Sequence, residues 1–210
     1  MAKLNSPRGL KPVGDMSGAS YNGSVQKFAV ASDAANTYAV GDVVKSAAGT
    51  DIDGVPLCIK ATSGDVPLGI VVAIPPVSAG QSLVAGNLDL GRTWLPLNTA
   101  GYVLVATDSH VLFEVQVDNT AITLANSHKN SNLTITANQT STLTGSAPFS
   151  NTVLTGGTVN TTNTFVVRLL GTVQRVGNEP DSTTVAGAYT KYLAKFNTHE
   201  YGASTGFTAA

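Results

Sequence analysis

Only one cysteine, Cys58, occurs in the 210 residues, which excludes an intramolecular disulfide and any zinc cluster built on several thiolates. It lies in Val55-Pro-Leu-Cys-Ile-Lys-Ala61 and reads as a small core or half-buried residue. Charge is scarce too: 12% of residues are charged and 6% aromatic, where ordinary globular domains carry about 25% charged residues. The net charge of −1 gives no global field to attract nucleic acid or an anionic membrane. The longest apolar run, Leu68-Gly-Ile-Val-Val-Ala-Ile74, falls far short of the ~20 residues of a membrane-spanning helix. The start, Met1-Ala-Lys-Leu-Asn-Ser-Pro-Arg8, is polar and lacks the apolar core of a secretory signal, so the expectation is a soluble protein. Three glycosylation-type triplets, at Asn132, Asn138 and Asn160, carry no weight without secretion.

What the chain does have is alternation. In Val111-Leu-Phe-Glu-Val-Gln-Val-Asp118, Val111, Phe113, Val115 and Val117 share one face and mostly polar groups take the other. A period of two marks a strand with one buried and one wetter face. The pattern recurs over most of the chain, no stretch sustains a helical period, and the fold class predicted is all-β, an antiparallel sandwich or barrel of jelly-roll type. Residues 1–23 read as an extended arm, 24–200 as a single β domain with a polar insertion at 126–164, and 201–210 as a tail.

Further expectations are local. Ser32 to Tyr38 can form one helical turn capped by Ser32. Pro56 pushes its strand toward an edge or a start position. Leu68 to Ile74, apolar on both faces, is expected at the centre of a sheet. Asp108-Ser-His110 is read as a short hairpin connection between neighbouring strands. The Asn/Ser/Thr-rich insertion is expected to hold short strands near Leu133 to Ala137 and Val153 to Val159. Gly171 fits a bulge or bend in the strand that begins at Phe165. Lys191 and Lys195, on one face of the last strand, suit an edge position.

Chemistry is hard to find. His110, His128 and His199 sit apart, with no second His at i+3 to i+5 and no cysteine nearby, so no metal site is predicted. No phosphate-cradling loop or dinucleotide fingerprint occurs. Glu114 and Asp118 share a strand face about 13 Å apart, too far for a glycosidase pair. Asp51 and Asp53 lie in a Gly-rich turn, but without a following acid they are a poor calcium loop. Trp94 reads as core rather than as a stacking platform, and basic residues do not cluster round the aromatics. No catalytic, cofactor-binding or metal residue is assigned, and the reading is of a non-enzymatic protein whose product is a contact.

Several segments resemble a known group. Asn5-Ser-Pro-Arg-Gly-Leu-Lys-Pro-Val13 followed by Tyr21-Asn-Gly23 resembles the start of tailed-bacteriophage structural proteins. So do Ala31-Ser-Asp-Ala34, Tyr38-Ala-Val-Gly-Asp-Val-Val44, Leu68-Gly-Ile-Val-Val72 and Val111 to Asn119. Arg168-Leu-Leu-Gly-Thr-Val-Gln-Arg-Val-Gly-Asn-Glu179 and Lys191 to Tyr201 complete the series, and 126–164 is the poorest stretch. The resemblance implies a capsid decoration, or cement, protein: made in the host cytoplasm, bound to the outer capsid surface of the virion, and partnered by the major capsid protein. It also implies a homo-oligomer, dimer or trimer, with no cofactor. Within it, Lys3, Arg8 and Lys11 of the arm are expected to meet acidic groups of the shell. Phe149, Val153 and Leu154 are expected to anchor a subunit interface or fold back beneath an outer loop. The rival expectation is a fibre, spike or carbohydrate-binding β module.

Overall fold

The computed structural model describes residues 3–32, 36–75, 93–138 and 147–202. The chain is nearly all β. In chain order the first strands are β1 (Lys11–Asp15), β2 (Gln26–Val30), β3 (Tyr38–Ala39), β4 (Val43–Thr50), β5 (Pro56–Lys60) and β6 (Gly69–Ala73). Next come β7 (Trp94–Leu95), β8 (Gly101–Ala106), β9 (Val111–Gln116), β10 (Ile122–Thr123) and β11 (Asn130–Ser131). The last are β12 (Leu133–Thr134), β13 (Val153–Leu154), β14 (Val167–Thr172), β15 (Val185–Gly187) and β16 (Lys191–Phe196). Helix is confined to three single 3-10 turns among the described residues.

Two larger units organise these strands. β2-β5-β4-β6-β8 closes into a barrel, and β1-β9-β16-β14-β11 forms an open five-stranded sheet. All pairings are antiparallel except β2 with β5. Alternation decides which side chains serve which core. Val44 and Val71 point into the barrel with Phe28, Val103 and Val105. Their neighbours Val43 and Ile70 point outward to meet Phe113, Val115, Tyr192 and Phe196 of the sheet. The both-faces-apolar run at Leu68 is therefore explained: one face fills the barrel and the other glues it to the sheet. Phe113 and Phe196, ring centroids 4.8 Å apart, sit at that junction.

The second face of β9 is covered as well. Glu114 meets Arg175 at 2.7 Å and Lys191 at 3.3 Å, and Gln116 binds Asn5 and the Ser6 amide. Pro56 does stand first in β5. The register of β14 against β16 slips between Leu169 and Gly171, the expected bulge. Leu133–Thr134 and Val153–Leu154 are strands and pair with each other.

Other expectations need correcting. Asp108 to His110 is no hairpin, because β8 belongs to the barrel and β9 to the sheet. β16 lies in the middle of its sheet, and Lys191 there neutralises Glu114 rather than guarding an edge. The segment expected to be an arm is docked over part of its length, since Leu10 bonds to Gly41 and β1 pairs with β9 over Lys11 to Asp15. Pro12 is tolerated because β1 is an edge strand. The helical turn from Ser32 rests on residues 33–35, which lie outside the described residues, as do 139–146 of the insertion and 203–210 of the tail.

Candidate functional site

The site begins with a close backbone approach. Gly9 and Gly41 both have positive φ, +69° and +95°, a region that favours glycine. They face each other: a Cβ on either would collide with backbone of the other segment. The Leu10 amide donates to the Gly41 carbonyl at 2.9 Å, and the Gly41 amide to Val71 at 2.8 Å. Leu10 is thereby driven into the core at 1% exposure. Its neighbours Arg8 and Lys11 stay at the surface.

Phe149, from within the polar insertion, comes up beneath Arg8, whose guanidinium carbon lies 4.5 Å from the ring centroid. Such stacking is favourable by about 0.5–1 kcal/mol at an exposed site. Around them opens a cavity of ≈ 540 Å³ with a largely apolar lining that includes Lys11, Tyr21, Val40 and Pro148. Burial raises the Tyr21 phenol above its ordinary range. Among the described residues, neither Arg8 nor Lys11 takes part in an ion pair. The cavity can thus accept an apolar side chain while its rim attracts carboxylates.

Three of the six expected contact residues, Arg8, Lys11 and Phe149, meet here. The others do not. The Lys3 ammonium is committed within the chain, 2.6 Å from both Asp181 and the Ala186 carbonyl. Leu154 is fully buried in the core with Val117 and cannot anchor a neighbour. Val153, half-buried on β13, pairs with Thr134 and lies apart from the cavity lining.

The other reactive groups have structural work. Burial and then Glu200 push the Cys58 thiol up to about 12, so it is not a thiolate at neutral pH. Asp108 and Ser109 both approach the same nitrogen of His110, Nδ1, at 3.3 Å. A relay needs the base and its orienting acid on opposite ring nitrogens. Tyr102 donates to Asp53 at 2.9 Å, and Asp51 accepts from the amides of Asp53 and Val55, so these acids close the β4–β5 turn. Among the described residues no group of three His, Cys, Asp or Glu side chains is placed to hold a metal ion. Trp94 is half-buried on β7.

One constellation escaped the sequence reading. Asp42, Lys60 and Asn138 converge where the polar insertion crosses the barrel end. Asp42 Oδ2 lies 3.2 Å from Lys60 Nζ and accepts from Asn138 Nδ2 at 2.8 Å. Asn138 Oδ1 accepts from Lys60 Nζ at 2.5 Å. Asp42 is 0% exposed and Lys60 7%. The one available signal was parity: Lys60 shares the face of Cys58, which is buried in the barrel. Comparison of the chain with known protein families, curated proteins and solved structures finds no match.

Proposed function

We propose that this chain is a structural virion protein that binds the outer surface of a tailed-phage capsid and stabilises it by bridging capsomers. The observation that carries the reading is the cavity beneath Arg8, where the N-terminal segment and the polar insertion present two cations and an apolar pocket together. Its complement is a segment of the major capsid protein offering a carboxylate beside an apolar side chain. Arg8 and Lys11 pair the acid at the rim, and the apolar group covers Tyr21, Val40 and Phe149. The sequence resemblance from Asn5 to Tyr201 points the same way.

Cementing follows from geometry rather than from one strong contact. A dimer or trimer presents two or three copies of the same patch, so individually weak contacts add through effective concentration. The surface rich in hydroxyls and amides keeps such a protein from sticking elsewhere. The test is copy number and position in purified particles of the phage that encodes this chain, by gel densitometry against the shell protein and imaging of the shell. A simple ratio to the shell protein, with density bridging capsomers at the Arg8 face, is the expected result. A few copies at one vertex would favour the fibre or spike reading, and absence from the particle would overturn both.

A further inference from the structure

The buried group at the barrel end holds the parts of an acyl-transfer reaction. Lys60 Nζ is a nucleophile once deprotonated, and Asn138 supplies a carboxamide carbon with ammonia as its leaving group. Since a carbonyl bond adds at most about 1.2 Å, the contact of Nζ with Oδ1 keeps the nitrogen within about 3.7 Å of Cγ. That is close to the separation of a near-attack arrangement, about 3–3.5 Å. The amide orientation is fixed by its partners: Nδ2 donates to the Thr37 carbonyl at 3.0 Å and to Asp42, leaving Oδ1 for Lys60. Asp42 Oδ2 touches both the attacking nitrogen and the departing one. Its other oxygen, Oδ1, is buried with no hydrogen-bond partner among the described residues. No other group competes for that oxygen, which leaves it open to receive a proton during the reaction.

We propose that Lys60 and Asn138 join spontaneously in an intramolecular isopeptide bond, with Asp42 as the catalytic proton carrier. Asp42 takes a proton from the Lys60 ammonium, leaving a neutral amine beside a carboxylic acid. Nζ attacks Cγ, and the C–N bond forms as the carbonyl electrons move to Oδ1. Asp42 passes its proton to Nδ2, the Cγ–Nδ2 bond breaks, and Nδ2 departs as ammonia. Asp42 then takes the second proton from Nζ. The five protons first held on Nζ and Nδ2 end as one on the new amide, three on ammonia and one on Asp42. No oxidant, metal or cofactor enters. Exclusion of water from Asp42 and Lys60 protects the intermediate from hydrolysis. The bond ties the polar insertion covalently to the barrel across 78 positions of sequence, and it does not depend on the capsid reading.

The test is the intact mass of the folded, full-length protein, followed by proteolysis and fragment sequencing. The expected mass lies below that of the sequence by one ammonia, about 17 Da, after allowance for loss of Met1. A branched peptide should link residue 60 to residue 138. Asp42→Asn and Lys60→Arg should each show the unreduced mass. A full mass in the wild-type protein with a free Lys60 peptide would overturn the proposal. So would an ammonia loss found only in a linear peptide, as from Asn22-Gly23. If the wild-type protein is linked and folded Asp42→Asn links equally well, the role given to Asp42 is wrong.

Discussion

The joint between Gly9 and Gly41 makes a demanding test of whether the N-terminal segment is part of the fold. Gly9→Ala introduces a methyl group into a position with φ +69°, a region that costs an L residue about 1–2 kcal/mol. The methyl also overlaps the Gly41 carbonyl oxygen, far inside van der Waals contact, and lands 2.5 Å from the Ser150 hydroxyl. Ordinary carbon-to-oxygen contacts lie near 3.3–3.6 Å, so the segment must retreat by about 1 Å. That stretches the 2.9 Å Leu10-to-Gly41 hydrogen bond past useful length, a loss of about 1 kcal/mol. Partial uncovering of Leu10, now 1% exposed, adds about 1 kcal/mol. The total is about 3–4 kcal/mol. Gly18→Ala is the matched control: φ is +89° but nothing lies within 4 Å of its Cβ, so only the backbone cost of about 1–2 kcal/mol applies. Urea unfolding followed by Trp94 fluorescence should separate the two variants by about 2 kcal/mol. Equal losses, within about 0.5 kcal/mol, would refute the docked segment and restore a free arm.

Two further perturbations probe the sheet and its border with the barrel. Asn178 mimics a strand neighbour: its amide donates to the Val173 and Lys191 carbonyls at 2.8 and 2.9 Å and accepts from the Lys191 amide at 2.8 Å. Asn178→Ala should cost about 2–3 kcal/mol in denaturant unfolding because buried backbone groups lose partners, and a change under about 0.5 kcal/mol would count against that role. Burial lowers the His199 pKa below its ordinary 6.5, so the folded state resists a proton that the unfolded chain accepts. Stability should be full above about pH 6.5 and fall as the pH drops toward the folded value, by up to about 1.4 kcal/mol per pH unit. His199→Gln should flatten that part of the profile, and an unchanged slope would show that the titration lies elsewhere.

The strands were legible where one rule dominated. Val111, Phe113, Val115 and Val117 lie in the core as their period requires, although Glu114 and Gln116 on the face expected to be wetter are buried too, and Pro56 starts its strand because it cannot donate inside a ladder. Lys191 misled because a cation on a strand face is the same letter whether it repels a stranger at an edge or neutralises Glu114 beside it. Arg8, Lys11 and Phe149 were each picked from their segments, but their meeting round one cavity was not visible. Lys3 and Leu154 were picked on character alone, and their partners Asp181 and Val117 lie elsewhere in the chain. Asp42, Lys60 and Asn138 carry no motif that links them to one another.

The amino-acid sequence by itself determined that this is a β protein without an intramolecular disulfide, because side-chain period, turn residues and cysteine count are each read without knowing the tertiary arrangement. Only the tertiary structure decided that the strands divide between a closed barrel and an open sheet, and that the first 23 residues supply a strand. It alone set a buried lysine and a buried aspartate against a half-buried asparagine. Those outcomes depend on which distant faces bury each other, and that free energy exists only once the chain has closed.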